Sequence, residues 1–256
     1  VSQVTAVLEK IVKESVRDRV ILFLTFAIPI FFVLIMPFMW GDAPQEVMPP
    51  LKGGLCLTMI TFMMMVAGQS NLAGFIASDR ERGLYFRIIS MPVSPLKEAV
   101  GRVLGIVLFS VIGAVLVLVV GVLYGAQFTG GAVRIVESLG FFVLIMVAAT
   151  GIGLIIASVV KGESAATHTG IALTLLTAFM GGMFAPYAML PSFLQVVARI
   201  HPIASANAGI VFLLQGESVS YYNPLTQWQV ALTIVGSCTL LVVGLILYSK
   251  LCWRRR

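Results

Sequence analysis

The sequence predicts an all-α membrane protein with six transmembrane helices, and three observations carry that reading. Of 256 residues, 59% are hydrophobic and only 11% charged, whereas a soluble domain carries about a quarter charged residues. Uncharged runs cover residues 20–41, 53–78, 103–133, 138–160, 164–198 and 218–249, and most supply the ~20 apolar residues that cross a bilayer core as a helix. With spans at 20–40, 54–77, 103–125, 139–160, 166–184 and 228–249, both termini fall on one side. That side holds 14 of the Lys and Arg residues, against Lys52, Arg134 and Arg199 on the other. Basic residues concentrate on the cytoplasmic side of membrane proteins, so both termini are expected in the cytoplasm. The whole chain, 1–256, reads as one membrane domain.

Ahead of the first span, residues 1–19 place Val1, Val4, Leu8, Ile11 and Ser15 on one stripe, with Glu9, Lys10, Lys13, Glu14, Arg17 and Asp18 elsewhere. This periodicity predicts an amphipathic helix, lying flat in the interface with its cations near lipid headgroups or simply solvated. The first apolar run is too long for a signal-peptide core and is not followed by a clear small-residue cleavage pattern, so it is expected to stay as an anchor.

Between spans two and three, residues 79–98 form a polar island. Each charge placed at mid-membrane would cost ~2.5–3.5 kcal/mol, which excludes the island from lipid. Leu84, Tyr85, Ile88, Ile89 and Met91 give a short helix an apolar face, and Pro92 and Pro95 end it. An exposed apolar face needs a partner. A groove on another protein and the bilayer interface both satisfy it.

Within span two, Gln69, Ser70 and Asn71 stand in "GQSN", and within span five Thr167 and His168 stand in "THTG". Such groups line a pathway or hold helices together through hydrogen bonds. Glycine pairs at 101/105, 121/125 and 151/153 favour close helix packing. Residues 185–216 are apolar but cut by Pro186, Pro191, Arg199 and Pro202. A further crossing there would move the basic C-terminus to the outer face, so the segment is expected to re-enter from outside, as a gate or as a packed cap.

Several chemistries are missing. No G-x-x-x-x-G-K-[ST] run, H-E-x-x-H or G-x-S-x-G occurs, and no cysteine pair has zinc spacing. His168 and His201 are isolated, which disfavours an intramembrane enzyme. Cys56, Cys238 and Cys252 are odd in number and lie in or beside apolar runs, so no disulfide framework is expected. The dispersed basic residues fit a membrane surface and not nucleic acid. The six spans as drawn hold no Asp, Glu, Lys or Arg in their interiors, which disfavours an ion-coupled carrier, because such carriers keep ionisable groups there. A passive channel is the other rival.

"SDRERGLYFRIISMPVSPLKEAVGRVLG" resembles the signature of type-2 ABC exporter permeases, and "FAPYAMLPSFLQVVARIHPIASANAGI" is similar to that family's outer segment between spans five and six. The resemblance covers nearly the whole chain, although "ASANAGIVF" lacks the charged residue that often follows the outer proline turn in that family. It implies that the island is a cytoplasmic coupling helix, with Asp79, Arg80, Glu81, Arg82, Gly83, Leu84, Tyr85 and Arg87 contacting a separate ATPase subunit. The loop Lys161, Gly162, Glu163 and Ser164 is similar to the family's second contact. By the same resemblance, ATP and Mg bind two partner ATPase subunits and not this chain, a second permease subunit completes the pathway in the plasma membrane, and the protein exports its cargo. The apolar span walls suit an amphipathic or lipid-like cargo.

Overall fold

The computed structural model describes residues 2–40, 44, 46–88, 93–185 and 187–253. Expectations for Val1, Ile89, Met91, Pro92, Pro186 and Arg254 to Arg256 lie outside the described residues. Among those described, the elements are helical and no strand occurs.

Helix α1 (Gln3–Arg17) is capped by the Ser2 hydroxyl, which accepts from the Thr5 amide. Asp18 stops it and caps the next helix by accepting from the Val20 and Ile21 amides. The stripe read from the sequence does not lie open to lipid. Ile11 and Ser15 are buried, and the helix packs on Gly101 and Gly105 of the third long helix, where an added Cβ would stand 2.8 Å from the Val4 carbonyl oxygen and 2.8 Å from the Ile11 Cβ.

Five helices are long and apolar enough to cross a membrane: α2 (Arg19–Met39), α3 (Met48–Glu81), α5 (Pro95–Leu123), α6 (Ala132–Val159) and α10 (Gln227–Cys252). The short α4 (Leu84–Ile88) links α3 to α5. In the place of the expected fifth span stands α7 (Glu163–Met180). Glu163, His168 and its threonines dilute its apolar content, and it is not among the five. Its 18 residues still reach about 27 Å at 1.5 Å per residue, close to the ~30 Å hydrocarbon core.

Helices α8 (Ser192–Ile200) and α9 (Pro202–Gln215) meet at 89°. Pro202 lies against Gly236, about two and a half turns into α10, and Ser205 accepts from Gln229 and Thr233 nearer its start. At the far end of α9, Gln215 donates to the Gln127 carbonyl in the α5–α6 loop. Helix α9 thus rises from the interior back to the end of the bundle where α5 ends and α10 begins. Tyr187, which leads into α8, stacks on Tyr222, just past α9. The start and the end of the pair therefore lie close together, and the pair counts as one broken span or as a re-entrant segment.

Helix α3 is the core of the bundle, and Met63, Met64 and Met65 are buried within it. Helices of the bundle approach to backbone contact. A Cβ on Gly153 of α6 would stand 2.0 Å from the Gly68 carbonyl oxygen, and one on Gly244 of α10 would stand 2.5 Å from that of Gly151. Backbone cannot yield as a side chain does, so Gly153→Ala is expected to cost about 1–3 kcal/mol by overpacking. Gly140, on the same helix, has nothing within 4 Å of an added Cβ, and Gly140→Ala is expected to be neutral or slightly stabilising. Thermal unfolding of the two purified variants measures the difference. Equal midpoints would contradict the close crossing.

Candidate functional site: the charged end of the bundle

The sequence-predicted contact residues converge at the end of the bundle where α3 stops and α5 starts. Gly83, at φ +70°, makes a turn that a residue with a Cβ rarely adopts and folds α4 back beneath the bundle. Of the α4 side chains, Tyr85 is 3% exposed and Phe86 69% exposed, so one short helix has an inward anchor and an outward face.

The inward side is a continuous polar network. Asp79 accepts from Lys10 of α1 and, at 2.6 Å, from Arg102 Nη2 of α5. Arg102, only 1% exposed, also donates from Nε to Glu98 one turn earlier. Tyr248 of α10 donates to the other Glu98 oxygen and lies 2.8 Å, hydroxyl to hydroxyl, from Tyr85. The Tyr85 ring meets Trp253 edge-on at 5.7 Å, and the Arg102 guanidinium stands 5.9 Å from its centroid. Burial pushes the Tyr85 phenol well above its ordinary range, so its hydroxyl keeps its proton for the Tyr248 bond. Arg80 donates to the Ala157 carbonyl at 2.8 Å and to that of Val160, satisfying acceptors that the C-terminus of α6 leaves open. Through these contacts α1, α3, α4, α5, α6 and α10 are tied at one level.

The outward side comprises Glu81, Arg82 and Arg87, all exposed, with Phe86 among them. The second predicted loop stands beside it. Gly162 has φ +93°, and a Cβ there would be 3.2 Å from Glu81 Oε1. Lys161, Glu163 and Ser164 are exposed, while Gly162, Gly83, Leu84 and Arg80 are half-buried. A polar cleft of about 290 Å³ opens between these turns and α1, lined by Glu14, Arg17, Asp18, Asp79, Arg82 and Glu163. Desolvation raises the Glu14 carboxyl above its usual range despite Lys10 nearby.

Two expectations change here. Arg102 was placed in the flank of a span beginning at 103, and the spans were drawn without interior charges. Pro95, at the first turn of α5, starts that helix two turns earlier, so Arg102 and Glu98 lie inside it as a buried pair. Within the predicted contact set, Asp79 and Tyr85 have side chains engaged in the internal network, and Phe86, which is outside that set, stands exposed among Glu81, Arg82 and Arg87. The i, i+4 spacing of Glu98 and Arg102 was the one local signal of the pair.

Gln69, Ser70 and Asn71 occupy a π-helical bulge (Val66–Asn71) in the middle of α3, and all three are buried. Ser70 donates to the Thr167 carbonyl at 3.0 Å, Thr174 donates to Gln69 Oε1 at 3.3 Å, and Asn71 donates to Thr25 Oγ1 at 3.0 Å. These bonds join α3 to α7 and α2, which is the helix-bonding role. His168 is exposed on α7. An apolar cleft of about 450 Å³ between α2, α3 and α7 is lined by Phe32, Phe62, Thr174 and Phe179 but by none of the five predicted pathway residues. No group of three or more His, Cys, Asp or Glu suited to a metal occurs among the described residues.

A profile for the ABC-2 type transporter family matches residues 2–214. Among curated proteins, the linearmycin resistance permease protein LnrN of Bacillus subtilis (strain 168) is 28% identical over 165 residues, covering 63% of this chain. The chain spans only 40% of that relative's length. A multi-pass helical bundle, a short helix folded beneath its charged end and a profile match from α1 through α9 agree, and the chain belongs to the ABC-2 type transporter family of membrane permeases.

Proposed function

We propose that the chain is the membrane-spanning subunit of an ATP-driven exporter, and that the charged end is the cytoplasmic docking face for a separate ATPase. The observation that carries this reading is the division of α4. Its Tyr85 is locked into the buried network of the long helices, whereas Glu81, Arg82, Phe86 and Arg87 point outward beside Lys161, Glu163 and Ser164. A helix bound on one side to the bundle and presented on the other transmits a push from a partner to α3, α5 and α10 together. Two ATPase subunits, holding ATP and Mg, would drive two permease subunits, identical or similar, between inward and outward access in the plasma membrane with both termini cytoplasmic. This chain would bind no cofactor.

The relative's name, a resistance permease, supports outward transport, and the apolar walls support an amphipathic or lipid-like cargo. The ion-coupled carrier is disfavoured by geometry. The ionisable groups found inside α5 are engaged with Asp79 and Tyr248, which leaves no unpaired carboxylate there to carry a proton or sodium ion.

Purification in mild detergent is expected to bring down an ATP-hydrolysing protein, and reconstituted transport is expected to stop when ATP is withheld. Turnover without ATP would overturn the reading in favour of a channel or carrier.

A further inference from the structure

The polar cleft between α1, the last turns of α3 and the start of α7, about 290 Å³ in volume, holds charges of both signs that the buried network does not use. Asp79 is taken by Lys10 and Arg102, and Glu14 by Lys10. Arg17 and Arg82 line the cleft, are exposed, and make no salt bridge among the described residues. Two further carboxylates, Asp18 and Glu163, stand in the same lining. Asp18 uses only Oδ1 to cap α2, and Glu163 is exposed in the first turn of α7. Ser78, 6% exposed, also lines the cleft; its hydroxyl bonds to no described residue and is not sealed off.

This set fits a ligand that carries both signs. A phosphate alone would meet two guanidiniums and be repelled by two carboxylates. A metal ion would meet the reverse, and no group of three His, Cys, Asp or Glu suits one among the described residues. A phosphate ester that bears an ammonium satisfies every member: Arg17, Arg82 and Ser78 donate to phosphate oxygens, while Asp18 and Glu163 accept from N–H. The ammonium is primary. A quaternary one has no N–H to donate and is recognised by aromatic cages, whereas Phe75 is the one aromatic side chain among the described lining residues.

The surroundings make that ligand a lipid. Asp18 is the N-cap of α2, so the cleft opens where a span begins. Val20 and Phe23 are 65% and 67% exposed and carry an apolar surface from the rim along α2. The apolar cleft of about 450 Å³ lined by α2, α3 and α7 begins at Leu24, one turn beyond Val20. From Asp18 to Leu24 is about 9 Å at 1.5 Å per residue, within the ~15 Å that each leaflet contributes to the hydrocarbon core.

We infer that the polar cleft binds the headgroup of a membrane phospholipid whose phosphate carries a primary ammonium, with its acyl chains over Val20 and Leu24 and into the apolar cleft. The site is made of this chain's own residues.

Phosphatidylethanolamine, phosphatidylcholine and phosphatidylglycerol with identical acyl chains are offered in competition to the purified, delipidated protein in detergent, and native mass spectrometry identifies the first lipid bound. The ethanolamine lipid is expected to be preferred about tenfold over the other two, the factor a net charge-assisted hydrogen bond supplies. Arg17→Gln acts on the phosphate common to all three and is expected to lower the uptake of each about tenfold. Glu163→Gln acts on the ammonium alone and is expected to shrink the ethanolamine preference without lowering uptake of phosphatidylglycerol. Both side chains are exposed, so thermal unfolding of the variants is expected to match the parent. Soluble phosphoethanolamine, which has no acyl chains, is expected not to displace the lipid at matched concentration. Equal uptake of the three lipids, a preference for phosphatidylglycerol, uptake indifferent to Arg17→Gln, or an ethanolamine preference unchanged by Glu163→Gln would overturn the site, and displacement by phosphoethanolamine would overturn the lipid as its occupant. Neither ATPase nor ATP takes part, so failure here leaves the docking face untouched.

Discussion

Replacing Arg102 by methionine is expected to destabilise the protein by about 3–5 kcal/mol, the cost of stripping one partner from a buried ion pair. The side chain is 1% exposed and bonded to both Asp79 and Glu98. Its loss strands the two carboxylates unequally. Asp79 retains Lys10, while Glu98 retains only the Tyr248 hydroxyl. Glu98 therefore bears most of the penalty. Glu98→Gln alone is expected to do less harm, because Arg102 keeps Asp79 and the amide still accepts from Tyr248. In the triple variant Asp79→Asn, Glu98→Gln, Arg102→Met no charge is left uncompensated inside the bundle, and much of the lost stability is expected to return. Membrane yield and thermal unfolding followed by size-exclusion chromatography rank the three. A single Arg102→Met variant as stable as the parent would mean that the network is not a buried charge cluster at all.

The sequence made the helices and the depth of their apolar stretches legible, since both are written in local composition. Spans drawn on hydropathy ended where charge began, at 77 and 103, because the bilayer core sets the length of an apolar run. The helices do not stop there. Helix α3 continues to Glu81 and α5 begins at Pro95, so the turn between them is shorter than the polar island suggested, and its charges stand on helical turns facing one another. Which charges pair is a long-range property. Asp79 meets Lys10 across 69 positions and Glu98 meets Tyr248 across 150, and no periodicity within one helix encodes such contacts. The same holds for Met63 to Met65, whose composition suits lipid, cargo or core alike and which only the neighbours of α3 assign to the core. The polar run at Gln69 to Asn71 fits either a pathway or an adhesive role on sequence, and the partner atoms on α2 and α7 favour the second.

Exchanging the charges of Glu81 and Arg82, as Glu81→Lys with Arg82→Glu, is expected to weaken association with the ATPase subunit about 10- to 100-fold. Each tenfold step corresponds to about 1.4 kcal/mol, and like charges brought together across an interface cost several kcal/mol. The net charge is unchanged, so attraction to anionic lipid and the bias that orients the spans are preserved. Both side chains are exposed and make no salt bridge among the described residues, so yield and thermal stability are expected to match the parent. Tyr85→Phe supplies the contrasting failure. It removes the hydroxyl contact with Tyr248 while leaving the outward face of α4 intact, so the ATPase is expected to bind as before and its hydrolysis to respond less to cargo. Affinity measured by surface immobilisation and cargo-stimulated hydrolysis in nanodiscs separate the two losses. If the exchanged pair binds the ATPase as tightly as the parent, the turn that leads into α4 is not part of the docking face. If Tyr85→Phe keeps full stimulation, force reaches α10 by a route that bypasses this hydroxyl pair.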